Sequence, residues 1–329
     1  MKYKKTLLLI FLLMLFGIDN ASGQRTYRRR RRPQRSSRTQ RVQRDRLSQR
    51  DTRLKNEVEF KLTYDLSIQA IPSKLKFIAP IPQTIQLRQE ISEIQYSPEP
   101  ARFFEQNGVE YAEFTFTRPP SQLRLQIKVK ATLFRYDLAT AKKKQNEVEP
   151  NAPDLRPFLK NEKFIEKSNP QIKKIAETIP DANQIKLVRQ IYDYVAHYMN
   201  YEYSTQEAGA LGALRKKEGA CTDYCDLFVA LCRAKDIPSR VVKGYISESL
   251  DTPKHAWAEV YLEKFGWVPF DLTYGDVEQS SIRNERFENL RPIYVYLTNI
   301  RNDEVLDKAI LMTGYSVGDV QVNLSVEFK

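Results

Sequence analysis

Histidine is almost missing from this chain: 329 residues include two, His197 and His255. Cysteine is nearly as scarce, and Cys221, Cys225 and Cys232 all fall within twelve residues. A zinc site needs four ligands at suitable spacing. Three clustered cysteines, no Cys-x-x-Cys pair and one spare imidazole do not supply them, so no metal or other cofactor is expected. An odd cysteine count leaves at least one free thiol. Long apolar runs are lacking too. The run Leu7–Ile18 is twelve residues, short of the about 20 that span a bilayer as a helix. No cysteine follows it, which argues against a lipid-modified N-terminus. Acidic charge is sparse in one place. Residues 24–55 hold 13 Arg and one Lys against Asp45 and Asp51, a net +12 that equals the charge of the whole chain. Residues 1–23 carry +2, and the 274 residues after the tail sum to −2. The pI near 9.4 therefore describes a tail, and the body is almost neutral. With 41% hydrophobic and 11% aromatic residues, full disorder is excluded.

Lys2, Lys4 and Lys5 precede the apolar run, and Ala21-Ser22-Gly23 follow it. This is the pattern of a signal peptide over 1–23, cut before Gln24. Export to the periplasm or medium is the expectation. Arg28 to Arg32 stand close behind the run and oppose translocation, so an N-terminal membrane anchor is the alternative. Residues 24–55 are Arg, Gln, Ser and Thr with almost nothing to bury, and read as a disordered Arg-rich tail. Such a tail is a spacer or a contact for an anionic envelope polymer. Only Tyr27 could stack on a base, which argues against nucleic acid as a partner.

After the tail the pattern turns to β-structure. Phe60, Leu62, Tyr64, Leu66 and Ile68 alternate with polar residues, and so do Leu123, Leu125, Ile127, Val129, Ala131 and Leu133. Period two over such lengths predicts half-buried strands. Shorter candidates lie at 74–78, 90–96 and 111–117, with prolines punctuating the turns. These make 56–137 a small antiparallel β-sandwich domain. Residues 138–154, with Lys142–Lys144, Pro150 and Pro153, read as a linker. No internal repeat is evident.

The second domain, 155–329, opens with helical spacing. Ile185, Val188, Tyr192, Val195 and Met199 make one stripe of a helix over 181–200. His197 points away from that stripe and reads as a solvated surface residue. From Cys221 to Lys235 the period is helical again. Tyr224, Cys225, Leu227, Phe228, Leu231 and Cys232 form a wide apolar stripe, with Thr222, Asp223, Asp226 and Arg233 as a polar edge. Cys225 and Cys232 read as small core residues. Cys221 stands at the first turn after Gly219-Ala220, where unpaired N–H groups and the helix dipole favour an anion. A thiolate there is a good nucleophile. It needs a base and a third group to orient the base. His255 and Asp271 are the only pair that fits. His255, Trp257, Glu259 and Tyr261 share one face of a strand, and Trp267–Asp271 returns as its partner. Asp271 reaches the His255 face only if the connection is odd or bulged. Taken singly, a core histidine and a turn-capping aspartate are the simpler readings. Runs at 293–297 and 320–328 read as sheet completion.

These residues form a familiar set. Gly219-Ala220-Cys221-Thr222-Asp223-Tyr224, Leu227–Ala234 and Ile237–Val242 resemble the core of the transglutaminase-like superfamily. His255–Tyr261 resembles its histidine strand, and Gly266–Thr273 its aspartate strand. The blocks occur in the family's order and cover about 185–275. The resemblance implies an α+β fold, a papain-like transglutaminase core preceded by the small β-sandwich. It implies a bacterial cysteine protease or amidase type of enzyme, with Cys221 as nucleophile, His255 as base and Asp271 as orienting acid. The substrate would be a peptide or protein amide, cleaved through a thioester. The cross-linking members use a tryptophan upstream of the cysteine to meet the oxyanion. Both tryptophans here, Trp257 and Trp267, lie downstream. Trp257, Tyr201 and Tyr203 are the aromatic residues that could take that place. The gap favours amide hydrolysis over protein-glutamine transamidation. A non-catalytic binding module is the remaining alternative.

Overall fold

The computed structural model describes residues 53–143, 154–204, 206–248, 253–276, 280–306, 315–317 and 320–329. The expected signal peptide and residues 24–52 of the tail lie outside them.

The alternating segments are strands. β1 (Lys55–Ile68) and β6 (Gln122–Phe134) pair antiparallel along almost their full length, from Lys55↔Phe134 to Ser67↔Gln122. Phe60, Leu62, Tyr64 and Leu66 on one, and Leu125, Ile127, Val129 and Leu133 on the other, are buried. Alternate residues share a face, so the periodicity decides which side faces the core. β3 (Gln89–Ser97) extends this sheet beside β6. A second sheet runs β2 (Lys74–Pro80), β5 (Val109–Thr117), β4 (Arg102–Gln106). Phe77, Ala79 and Phe114 from it share one core with the first sheet. That is the expected sandwich. β4 carries no alternation strong enough to read, because it is an edge strand with little buried surface.

Two expectations need correction. The division at 155–329 fails at its far end. β16 (Val320–Phe328) pairs with the free edge of β1, from Phe60↔Phe328 to Ile68↔Val320, and β15 (Tyr315–Val317) pairs with β16. The last strands complete the first sheet, with Val322 and Leu324 in the sandwich core. A periodic run marks a strand but not its partner. Secondly, the linker does not begin at 138. β7 (Tyr136–Asp137) leads into a short helix, α1 (Leu138–Lys143), and Leu138 is buried in the second core. Residues 144–153 lie outside the described residues.

The second core is built on helices and an antiparallel sheet of order β12 (Gly266–Phe270), β11 (Lys254–Leu262), β10 (Ser239–Ile246), β14 (Tyr294–Thr298). α2 (Pro170–Thr178) and α3 (Gln184–Tyr198) are capped by Asn169 and Asn183, whose side chains accept backbone N–H bonds. Such caps are worth about 1 kcal/mol each. α4 (Gly209–Lys216) leads to α5 (Cys221–Ala234), the cysteine helix. α5 is buried all round, including the expected polar edge. Those side chains find protein partners in place of water. Arg301 holds both Asp226 oxygens at 2.7 and 2.9 Å. Arg233 donates to Ser239 O and Glu162. Against α5 lie β10 (Ser239–Ile246) and β11 (Lys254–Leu262), where Ala256 and Ala258 allow close approach. β12 (Gly266–Phe270) follows β11, and β14 (Tyr294–Thr298) lies beyond β10.

The two cores meet. Tyr245, Val295 and Leu297 pack into the sandwich core from β10 and β14. The Gln89 side chain exchanges hydrogen bonds with the Tyr296 backbone at 2.9 and 2.8 Å, and Arg88 donates to Trp267 O at 2.6 Å. At Gly244, between β11 and β14, a Cβ would fall 1.9 Å from Val295 O and 2.9 Å from the Trp257 ring. The first of these is backbone and cannot swing aside. Gly244→Ala is therefore expected to cost about 3 kcal/mol, read as a lower urea midpoint at unchanged slope. A midpoint equal to wild type would refute that tight packing.

Candidate active site

Cys221 is the first residue of α5, and Ala220 before it is extended. Asp223, one turn in, accepts the N–H of Ala220 and that of Ala208, both at 2.9 Å. The helix start is thus fixed to the preceding chain, and its first N–H groups are available at Cys221. The sulfur is almost fully buried.

His255 and Asp271 depend on the β11–β12 connection. Leu262 pairs with Gly266, so the loop Glu263–Phe265 has three residues. Gly266 takes φ +65, the left-handed conformation such a loop requires. The connection is odd. Tyr261↔Trp267 and Glu259↔Pro269 then share the face of His255, and Asp271 follows onto it. His255 Nε2 lies 2.7 Å from Asp271 Oδ2. Cys221 lies close enough to the imidazole to help raise its pKa.

Asp271 is both an orienting group and a turn cap. Its Oδ1 accepts the Thr273 N–H and hydroxyl at 3.1 and 2.9 Å and the Tyr274 N–H at 3.2 Å, capping the short helix α6 (Leu272–Gly275). Its Oδ2 accepts the Tyr294 hydroxyl at 2.7 Å as well as His255. Burial alone would raise its pKa, but the imidazolium and the donors from His255, Tyr294 and Thr273 hold it below the ordinary carboxylate value. Burial alone would lower His255. The Asp271 charge and the bonds to Asp271 and Cys221 outweigh burial and raise it to about 10. An imidazolium persists beside the sulfur at neutral pH.

The other expected residues are spread. Trp257 is fully buried and forms a wall beside His255, with ring centroids 6.3 Å apart. Tyr201 lies on a two-residue strand, β8 (Asn200–Tyr201), parallel to Glu218–Gly219 just before Cys221, and its ring is 6.4 Å from that of Tyr224. Tyr203 is exposed and is not brought to the sulfur. Cys225 and Cys232 are buried, and burial pushes both thiols up. His197 is exposed on α3 and meets Arg283. Among the described residues no cluster of His, Cys, Asp and Glu could hold a metal. Thr273, Tyr274 and Tyr294 were not found from sequence. The one signal for Thr273 was the Asp-x-Thr helix-capping pattern at Asp271, which was not used. Nothing local pointed to Tyr294, which arrives from a strand three places away in the sheet.

The family model of the transglutaminase-like superfamily matches residues 173–272, the stretch from α2 through Asp271. Residues 173–272 match the core of that superfamily. A solved candidate cysteine protease from Cytophaga hutchinsonii shares its fold. It is 21% identical, covers 83% of this chain and 91% of its own, and has a TM-score of 0.58. The periplasmic domain of TgpA from Pseudomonas aeruginosa is 15% identical and covers 74% of this chain and 100% of its own, at a TM-score of 0.34. YebA of Bacillus subtilis, an uncharacterised protein, is 36% identical over 73 residues. That stretch is 18% of this chain and 10% of YebA, so the match spans a tenth of that relative. The transglutaminase-like core thus holds Cys221, His255 and Asp271 together, and the sandwich lies outside the matched stretch.

Proposed function

We propose that this protein is a cysteine-dependent amide hydrolase whose catalytic residues are Cys221, His255 and Asp271. The observation that carries the reading is the 2.7 Å bond from His255 to Asp271 in a site that Cys221 enters at the start of α5. The transglutaminase-like core supports an enzyme of the cysteine-protease and transglutaminase kind. In the proposed reaction the proton of the Cys221–His255 pair already rests on His255, and the Cys221 sulfur attacks the amide carbon as the thiolate of that pair. The carbonyl oxygen becomes an anion met by the Cys221 N–H at the helix start. Collapse expels the amine, which takes the proton from His255, and leaves a thioester on Cys221. Water then gives a proton to His255 and attacks the thioester, releasing the acid and restoring the Cys221–His255 pair. Asp271 stays ionised throughout and keeps the imidazole aimed. The signal-peptide pattern supports a substrate outside the cytoplasm, a peptide or protein, with the Arg-rich tail in contact with an anionic envelope polymer.

The test is alkylation by iodoacetamide, followed cysteine by cysteine by peptide mass spectrometry. At pH 6 Cys221 is expected to react at least about 100-fold faster than Cys225 or Cys232, and to lose that advantage in His255→Ala. Equal slow reaction of all three would sink the proposal in favour of a binding module. Adding a primary amine during turnover separates hydrolysis from transamidation, because only a transamidase yields the new amide as its main product.

A further inference from the structure

We propose that Tyr294 is a positioning residue for the proposed reaction: its hydroxyl fixes Asp271 Oδ2, the same oxygen that holds His255. The inference rests on the hydrolase reading and deepens it.

The geometry is specific. A carboxylate held only through Oδ1 by Thr273 and Tyr274 could still turn about its last side-chain bond and swing Oδ2 away from the imidazole. The Tyr294 hydroxyl at 2.7 Å closes that motion. It comes from β14, whereas Asp271 follows β12, and β10 and β11 stand between them. Gly244 on β10, facing His255 on one side and Tyr296 on the other, leaves room for aromatic rings above the sheet. Trp257 fills it, and Tyr294 meets Trp257 edge-on at 5.1 Å. The Tyr294 ring is also 6.2 Å from that of His255. It is buried and has no freedom to point elsewhere. The arrangement ties the acid to the far side of the sheet, so the His255 orientation is set by four strands and not by one loop.

The titratable groups facing Asp271 are His255 on β11, Tyr294 on β14, Tyr274 on α6, Tyr192 on α3, and Cys221 and Cys225 on α5. Arg286, on the helix α7 (Ser280–Glu288), acts on all three tyrosines, and Arg189 and Asp193 of α3 act on Tyr192 as well. Burial pushes all three tyrosines and Cys225 up, so they stay neutral on the acid side. His255 keeps its proton there. Each donor that Asp271 accepts lowers the pH at which it takes up a proton.

Tyr294→Phe keeps the ring and removes the donor. Its expected signature is a shift of about one pH unit upward in the point where rapid iodoacetamide alkylation of Cys221 is lost on acidification. Tyr296→Phe, on the same strand, removes a buried hydroxyl that does not touch Asp271 and is expected to leave the profile where it is. Slow alkylation of Cys225 and Cys232 in both variants reports an intact fold. A Tyr294→Phe profile equal to wild type, with His255→Ala still slow, overturns the positioning role and leaves the hydrolase reading standing. Wild-type alkylation that does not depend on His255 overturns both.

Discussion

Changing Cys221 to alanine is expected to bring hydrolysis of a p-nitrophenyl ester down to the uncatalysed level, a loss on the order of 10⁴-fold or more. The size follows from what the sulfur does. It is the only atom in the proposed scheme that forms a covalent bond to the substrate, so the remaining groups have nothing to activate. Serine in its place is expected to be nearly as inactive. A hydroxyl gives up its proton far less readily than a thiol, and the imidazolium beside it is a poor base. His255→Ala is expected to match Cys221→Ala, and the double variant to be no worse than either, because residues that act as one unit are not additive. The measurement is initial rate against ester concentration, with stability checked by thermal melting. Residual activity above one hundredth in Cys221→Ala would place the reaction elsewhere.

The second large effect concerns stability. Asp226 and Arg301 form a buried pair behind the cysteine helix, with Asp226 fully enclosed. Arg301 also meets Glu207 at 3.1 Å, and Glu207 meets Lys243 at 3.3 Å. Burial raises Asp226 to about 6, with Arg301 pulling against it, so the carboxylate is ionised at neutral pH. Asp226→Ala leaves the Arg301 charge partly unpaired in the interior. The expected cost is about 3–5 kcal/mol, enough to use up much of the stability of a typical domain. Removing both charges as Asp226→Leu with Arg301→Met is expected to recover a large part of it, since the pair itself contributes little net energy. Urea midpoints of the two variants decide this. A single variant within 1 kcal/mol of wild type would show that water reaches the site.

The sequence carried the local half of this structure clearly. Alternation in β1 and β6 marked both strands and their buried faces, because each face meets a different solvent. The stripe of α3 was visible for the same reason. The odd β11–β12 connection could be required before it was seen, since Asp271 reaches His255 in no other register. What stayed hidden depends on long-range pairing. The α5 polar edge reads as solvent-facing until Arg301 and Ser239 are known to lie against it. Tyr294 looks like any aromatic in a buried strand. The partner of 320–328 could not be read, since nothing in an apolar–polar repeat names the strand it will meet.

That last pairing has a consequence for how the molecule is made. Among the described residues β1 leaves the ribosome first, and β16 follows it by about 250 residues. Until then one edge of β1 has no neighbour, and a free strand edge is a template for another chain. Closing so long a loop is entropically costly and slow compared with local contacts. The sandwich is therefore expected to complete itself last, after the cysteine helix and its sheet have collapsed. A nascent chain of this protein is most exposed to aggregation just before synthesis of β16 ends. A chaperone, or passage through a translocon unfolded, would shelter that edge through the same interval.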